Sequence, residues 1–313
     1  MLKDQGSLSE QEWYADLRDR GAREGYFSQL GRGHSALFVS RNPTLVVTFE
    51  AEAAIRRRPG ALPLGLGTPG LETSSHLCLI ARGQSWFRDP EIYAFFDRLV
   101  DDAFFEGFDN VVFYGAGMGG YAAAAYSVTA PGATVVLVQP QATLDPAVAG
   151  WDPRYSEYRR LTFTDRYGYA PDMTEGAGSV FLLYDPDQTY DAMHAALFRR
   201  PFTTILPCRN MGGDLAGALG TMHILPAVLK AAAAGHFDAA LFHSFYRARR
   251  NHLPYLRKLA SRLATDGRPY LEALLARNAA LRLGDEPFRQ SAEELQRQLA
   301  RAGRALPPAG QKS

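Results

Sequence analysis

The chain has 313 residues, of which 46% are hydrophobic, and a formal net charge of +1 at pH 7. This is enough chain for one large α/β domain with a smaller appendage. No apolar run approaches the ~20 residues of a membrane-spanning helix, which argues against a membrane protein. The first residues are polar and lack the apolar core of a signal peptide, so we expect a cytoplasmic protein.

The predicted elements begin with a lead-in segment, residues 1–35, that contains a short amphipathic helix over residues 9–20. Two strands follow at residues 36–40 and 45–49, separated by an Asn-Pro turn. Because the turn is short, we expect these two strands to form an antiparallel hairpin at a sheet edge.

Short apolar strands then alternate with helices. Strands are predicted at residues 77–81, 110–114, 134–138, 180–184 and 203–206, and helices at 91–103, 120–127 and 190–198. This alternation is typical of a mostly parallel sheet covered by helices on both faces. The pattern predicts an α/β domain over residues 36–235. Residues 140–176 are rich in aromatic side chains and are interpreted as a cap inserted after a strand end.

The chain after residue 215 is predicted to be helical. A helical C-terminal extension is expected over residues 236–305, ending in two paired helices that start at Pro269 and Pro287. A disordered tail is expected at residues 306–313.

Charge is unevenly distributed between the two parts. From residue 241 to the end there are 14 Lys/Arg against 6 Asp/Glu, a balance of +8, so the first 240 residues carry −7. The extension is expected to dock on its own domain or to form a homo-oligomer, with nucleic acid an unlikely partner. Its apolar stripe is expected to be buried at Leu271, Leu274, Leu275 and Leu295.

The most informative motif lies in the middle of the domain. Residues 111–122 read as a buried strand, a tight glycine turn and an alanine-rich helix. This is the layout of a nucleophile elbow, in which a strained turn presents the nucleophile between two small residues. Gly115 and Gly119 occupy the small positions, and Gly117 occupies the nucleophile position. The turn predicts a positive φ at Gly117.

With this motif, residues 36–235 resemble the α/β-hydrolase superfamily. The segment Tyr114-Gly115-Ala116-Gly117-Met118-Gly119-Gly120-Tyr121 is close to the elbow of esterase-like members, with glycine in place of the serine. Residues 82–87 correspond to the loop that shapes the oxyanion hole. The residues that the resemblance places around a ligand are Gln84, Trp86, Gly115, Gly117, Met118, Gly119, Gln139, Asp187 and Asn210.

The resemblance implies a triad in the order Ser, Asp or Glu, His. The acid position falls at Asp185, which is either a vestigial acid or a strand-end turn. The base position falls near Gly213, and no histidine occurs between His194 and His223. Since Gly117 has no side chain, two of the three roles are vacant.

Three functions therefore stay open. The first is a non-catalytic or altered protein that binds an unidentified small molecule or protein partner in the old active-site cleft. The second is a hydrolase or acyltransferase with a displaced nucleophile, for which Ser85 and Cys208 are candidates. The third is a nucleotide-binding protein, because residues 115–120 also satisfy G-x-G-x-x-G. The strand after this loop ends in Gln139, where a dinucleotide site would need an acid.

The chain also resembles an alphaproteobacterial group often named phosphoadenosine phosphosulfate reductase. Such a reductase would need a Ser-Gly-Gly-x-Asp loop and a reactive C-terminal cysteine, and neither pattern occurs here. The two cysteines, Cys78 and Cys208, lie in apolar settings and are expected to be buried free thiols. No His/Cys cluster has metal-ligand spacing, and no metal or cofactor is expected.

Overall fold

A computed structural model describes residues 9–308 of the chain. Contacts divide the chain into two compact units, Met1–Phe242 and His243–Ser313, here named the N-terminal and C-terminal units. The last five residues of the expected disordered tail lie outside the described residues. The domain division expected from the sequence, with a boundary at residue 235, stays a prediction.

The described part of the N-terminal unit forms one eight-stranded sheet with the order β1-β2-β4-β3-β5-β6-β7-β8. Strands β3 to β8 are parallel to one another, and β2 is antiparallel to both β1 and β4. The strands are β1 (Gly25–Leu30), β2 (His34–Val39), β3 (Thr44–Ala51), β4 (Ser75–Ala81), β5 (Asn110–Ala116), β6 (Thr134–Val138), β7 (Ser179–Tyr184) and β8 (Thr203–Pro207).

Helices connect the strands of the N-terminal unit, and further helices form the C-terminal unit. Within residues 9–308 the α-helices are α1 (Glu10–Glu24), α2 (Glu52–Arg56), α3 (Leu64–Gly67), α4 (Pro90–Asp101), α5 (Met118–Tyr126), α6 (Pro146–Ala149), α7 (Ala170–Met173), α8 (Thr189–Leu197), α9 (Leu215–Thr221), α10 (Ile224–Ala233), α11 (Ala239–Phe245), α12 (Leu253–Thr265), α13 (Pro269–Leu283) and α14 (Glu286–Arg301). The fold is α/β and α/β-hydrolase-like, as the sequence pattern predicts.

The sheet is buried on both faces. Along β4, Leu77 and Leu79 belong to one hydrophobic core, while Cys78 and Ile80 belong to a second core on the other face. This alternation follows from the two-residue period of a strand. Helices α4, α5 and α8 contribute to the first core and α1 to the second. Burial on both faces explains why the strands read as continuous apolar runs.

The predicted hairpin between residues 36–40 and 45–49 is wrong. β4 lies between β2 and β3, so these two strands do not pair. An edge hairpin leaves backbone groups and one face open to solvent. Both strands are instead buried along most of their length, which requires neighbours on both sides.

The lead-in segment contributes to the sheet. Ser9 caps α1 in a capping box with Glu12, and Trp13 and Leu17 are buried as expected for one face of this helix. The strand β1 that follows was not predicted. It pairs with β2 and supplies the edge of the sheet.

The C-terminal unit packs α13 against α14 and α12 against α13, so the predicted helical hairpin is present. Burial of the four leucines is not found within the chain: Leu271 is 43% exposed and the other three are half-buried. The buried side of α13 carries Ala273, Ala276 and Ala279 instead. Small residues at this spacing let helices approach closely, which leaves the longer leucines at the flanks.

Across residues 9–308, no single helix has the length and apolar character needed to cross a membrane. The pair Leu215–Thr221 and Ile224–Ala233 passes jointly by length and composition, but it bends by 89°.

Candidate functional site

The elbow has the predicted backbone geometry. Gly117 lies between β5 and α5 with φ 54° and ψ −122°. Its N–H donates to the carbonyl of Val138 at 2.9 Å, and its carbonyl accepts from Tyr121 N at 3.0 Å. The positive φ at Gly117 is confirmed, and the turn is one that glycine adopts without strain.

The neighbouring glycines are needed for close packing. A Cβ on Gly115 would lie 1.9 Å from the Gly119 carbonyl oxygen, and one on Gly119 would lie 2.2 Å from the Phe49 carbonyl oxygen. A Cβ on Gly117 would meet nothing within 4 Å in the described part of the chain. The flanking glycines therefore let α5 lie against β3 and β5, whereas the space over Gly117 is open.

The acid position is occupied by a carboxylate with a structural role. Asp185 is 1% exposed. Its two oxygens accept from Asp187 N at 3.0 Å and Gly212 N at 2.6 Å. Asp187 accepts in turn from Asn210 N at 3.3 Å. This network fixes the loop after β8, in which Gly213 is exposed.

Gln139, at the end of β6, forms hydrogen bonds to helices α8 and α9. Its side-chain N–H donates to Asp191 at 2.6 Å, and its side-chain oxygen accepts from Leu215 N at 2.8 Å. Its φ is 47°. Both polar ends of Gln139 have partners in α8 and α9, so this side chain holds those helices to the sheet.

The loop after β4 lies against the elbow. Trp86 N donates to Met118 Sδ at 3.1 Å, and Gln84 is exposed. Trp86 and Phe87 have φ values of 55° and 53°, which are uncommon for residues with bulky side chains. The Trp86 ring is fully buried and lies 4.9 Å from the Tyr155 ring of the predicted cap.

A serine, a histidine and an aspartate meet beside this loop. His34 Nε2 lies 2.6 Å from Ser85 Oγ, and His34 Nδ1 lies 3.5 Å from Asp89 Oδ2. Nδ1 makes no hydrogen bond to any group in residues 9–308. His34 is 2% exposed, whereas Ser85 is half-buried. Burial lowers the pKa of His34, although the nearby Asp89 carboxylate opposes this shift.

Sequence reasoning identified Ser85 as a candidate but missed His34. The two residues are 51 positions apart, and they meet because β2 pairs with β4 so that His34 lies opposite Ala81. Asp89 lies just before the helix predicted over residues 91–103, and its carboxylate caps α4 by accepting from Glu91 N at 2.9 Å.

The segment predicted to be a cap is held by a buried ionic network. His194 Nε2 lies 3.1 Å from Asp152, and Arg154 forms ion pairs of 2.7 Å with Asp152 and Asp191. His194 Nδ1 accepts from Ala142 N at 3.2 Å. Burial lowers the pKa of His194 to about 4, although Asp152 opposes the shift. Since Nδ1 accepts a hydrogen bond, the ring is neutral and structural.

A second buried charge lies near the end of β3. Glu50 accepts from Thr48 Oγ1 at 2.7 Å and Leu64 N at 2.9 Å, and it pairs with Arg58. Burial alone would raise the pKa of Glu50, but Arg58 outweighs this effect and the pKa lies below its usual value. Glu50 therefore anchors the segment after β3.

Cys78 and Cys208 are buried and form no disulfide within the described residues, and burial raises the pKa of Cys78. No group of three His, Cys, Asp or Glu in residues 9–308 is arranged to hold a metal ion.

A large cleft of about 500 Å³ lies at the opposite edge of the sheet. Its lining includes Phe105, Asn110 and Gly132 at the amino ends of β5 and β6, and none of its lining residues is a histidine, cysteine or serine.

No protein-family model matches the sequence, and no curated protein matches it. Solved structures show similarity at low identity. A glycosylation-associated protein (Gap123) complex from Streptococcus agalactiae is 15% identical with a TM-score of 0.43, and the match covers 63% of this chain and 44% of that one.

Two further structures cover more of their own length. The capsule O-acetyltransferase of Neisseria meningitidis serogroup A is 12% identical with a TM-score of 0.39, over 63% of this chain and 92% of that one. Carboxyl esterase 2 from Tuber melanosporum is 12% identical with a TM-score of 0.42, over 66% and 83%. The fold assignment rests on the strand order and the elbow.

The contacts of Gly115 predict that Gly115→Ala destabilises the fold by about 3 kcal/mol, because the new Cβ would overlap backbone that cannot rotate away. Gly83→Ala is the matched control, since a Cβ there meets nothing within 4 Å. Urea unfolding measures both. Equal stabilities for the two variants would contradict the packing role of Gly115.

The depressed pKa of His194, about 4, predicts pH-dependent stability. Unfolding returns the imidazole to its ordinary pKa of ~6.5, so the unfolded state binds more protons between pH 4 and 6.5. Stability is therefore present above pH 6.5 and is lost as pH falls. From pH 7.5 to 5.0, wild type should lose about 2 kcal/mol more than His194→Gln. The exposed His236→Gln is the control; a loss equal to wild type in His194→Gln would contradict this explanation.

Proposed function

We propose that this chain is an altered α/β-hydrolase-like protein that binds a small organic ligand at the carboxyl edge of its sheet, over Gly117. The observation that carries the proposal is the open space at the nucleophile position, in a turn that keeps the backbone geometry of an elbow. In open α/β sheets, ligands bind in the crevice outside the carboxyl ends of the strands.

Chemistry by the family triad has no support at the family positions. Gly117 carries no nucleophile, and Gly213 stands where the base would be. Asp185 uses both oxygens to bind backbone N–H groups. A Ser–His–Asp triad works as a unit, so the acid alone supplies no mechanism. Two buried cysteines without a disulfide in the described residues agree with a reducing compartment such as the cytoplasm.

The dinucleotide alternative has weaker support. Gly115 and Gly119 are explained by close contact with neighbouring backbone, so a bound phosphate is not needed to account for them. Gln139, at the position of the ribose-binding acid, is already engaged by Asp191 and Leu215.

The proposal predicts that blocking the space over Gly117 abolishes binding of a nitrophenyl probe. The probe is 4-nitrophenyl butyl ether, which has no ester to cleave and quenches tryptophan fluorescence. Gly117→Leu should raise the probe concentration that gives half-maximal quenching at least tenfold, because the leucine side chain occupies the open space.

Gly132→Leu is the matched control, because Gly132 also has positive φ, 84°, and open space but lies at the opposite edge. Equal binding by wild type and Gly117→Leu would contradict the proposal, as would loss of binding in Gly132→Leu alone. Displacement of the probe by NAD(H) or NADP(H) would favour the dinucleotide alternative instead.

A further inference from the structure

Ser85 and His34 have the geometry expected of a nucleophile and its general base. The separation of 2.6 Å between Ser85 Oγ and His34 Nε2 is a short hydrogen bond. Ser85 is half-buried and therefore within reach of a ligand. His34 is buried, and its other nitrogen faces the Asp89 carboxylate at 3.5 Å.

The surrounding fold holds the pair at the elbow edge. Arg82 N donates to the Gly33 carbonyl at 2.9 Å, which ties the loop after β4 to the start of β2. Phe87 N donates to Ser85 Oγ at 3.2 Å. Trp86, next to Ser85, contacts Met118 at the start of α5. The serine is thus fixed between the base and the turn that carries Gly117.

We infer that Ser85, His34 and Asp89 form a displaced acyl-transfer unit that cleaves a carboxylic ester bound at this edge. The inference rests on the proposed ligand site, and it adds the chemistry that Gly117 cannot supply. Ser85 and His34 act on the reacting atoms, whereas Asp89 is a positioning residue that orients the imidazole.

The reaction proceeds in two balanced steps. Ser85 Oγ attacks the ester carbonyl, its proton passes to His34 Nε2, and the tetrahedral intermediate collapses as the leaving alcohol takes that proton. Water or an acceptor alcohol then attacks the acyl-serine and gives its proton to His34 Nε2. The second tetrahedral intermediate collapses and releases the carboxylic acid or the new ester, while Ser85 Oγ takes that proton from His34.

The acid–base state of His34 fits this role. Burial lowers its pKa, so the imidazole is neutral near pH 7 and Nε2 can accept the serine proton. The hydrogen bond from Phe87 N uses a lone pair of Ser85 Oγ and leaves its O–H free to face His34. A serine with only a local structural role would not need a buried histidine whose second nitrogen lies 3.5 Å from a carboxylate.

The experiment treats the full chain with a fluorophosphonate and locates the adduct by peptide mass spectrometry. Label on Ser85, lost in His34→Gln, supports the inference. Hydrolysis of 4-nitrophenyl acetate should fall at least a hundredfold in Ser85→Ala and His34→Gln. Ser28→Ala is the control, because Ser28 is half-buried on the edge strand β1 and should keep wild-type rates.

Asp89→Asn tests the positioning residue. Asparagine caps a helix as well as aspartate, so α4 keeps its N-cap while the negative charge is lost. We expect kcat to fall about tenfold with KM and the melting temperature unchanged. A fall in melting temperature with kcat unchanged would show that Asp89 acts only as the cap.

A second variant covers the case in which Ser85→Ala does not fold. Ser85→Cys should react with iodoacetamide at pH 7 at least tenfold faster than Ser28→Cys. Adding His34→Gln to the Ser85→Cys variant should remove this difference. Adducts elsewhere, full activity in Ser85→Ala, or equal alkylation rates would each overturn the inference. The binding experiment with Gly117→Leu tests the proposed ligand site independently of the chemistry at Ser85. A wrong ligand site and a wrong catalytic unit therefore give different results.

Discussion

The site depends on a backbone contact that only glycine permits. The first turn of α5 lies so close to β3 and β5 that a Cβ on Gly115 or Gly119 would come within 1.9 or 2.2 Å of a carbonyl oxygen. This contact sets the direction of α5 and forces the chain through the positive-φ turn at Gly117. The elbow is thus maintained by packing, whether or not a nucleophile occupies its centre.

The turn is retained without a nucleophile, and the polar groups around it form structural hydrogen bonds. Asp185 and Gln139, which stand where the family resemblance places a triad acid and a ligand contact, hold loops and helices in place through paired hydrogen bonds. The one serine–histidine contact at this edge in the described residues is between Ser85 and His34. Open space over Gly117 and a nucleophile-like pair beside it are separate observations, and each has its own test.

Much of the fold could be predicted because its signals are local. Buried strands appear as short apolar runs, and the elbow glycines and the Asp-Pro start of α4 are motifs of a few residues. Pairing partners are not local. The order of β2, β4 and β3 depends on which strands bury both faces, and for this reason the expected hairpin was wrong.

The candidate site likewise combines features that local sequence signals predict with features that depend on strand pairing. Ser85 could be noticed from its place after a strand, but its contact with His34 exists only because β2 enters the sheet antiparallel to β4. Burial in α13 depends on the distance between helices, which favours Ala276 over the neighbouring leucines. Sequence periodicity alone could not decide between them.

The central claim is that the edge over Gly117 is a ligand site despite the absence of a nucleophile there. The most direct measurement is a crystal structure of the protein soaked with 4-nitrophenyl butyl ether. The account predicts electron density for the probe in van der Waals contact with the Gly117 Cα, beside the loop of Ser85. Density only in the cleft near Asn110, at the opposite edge of the sheet, would contradict it.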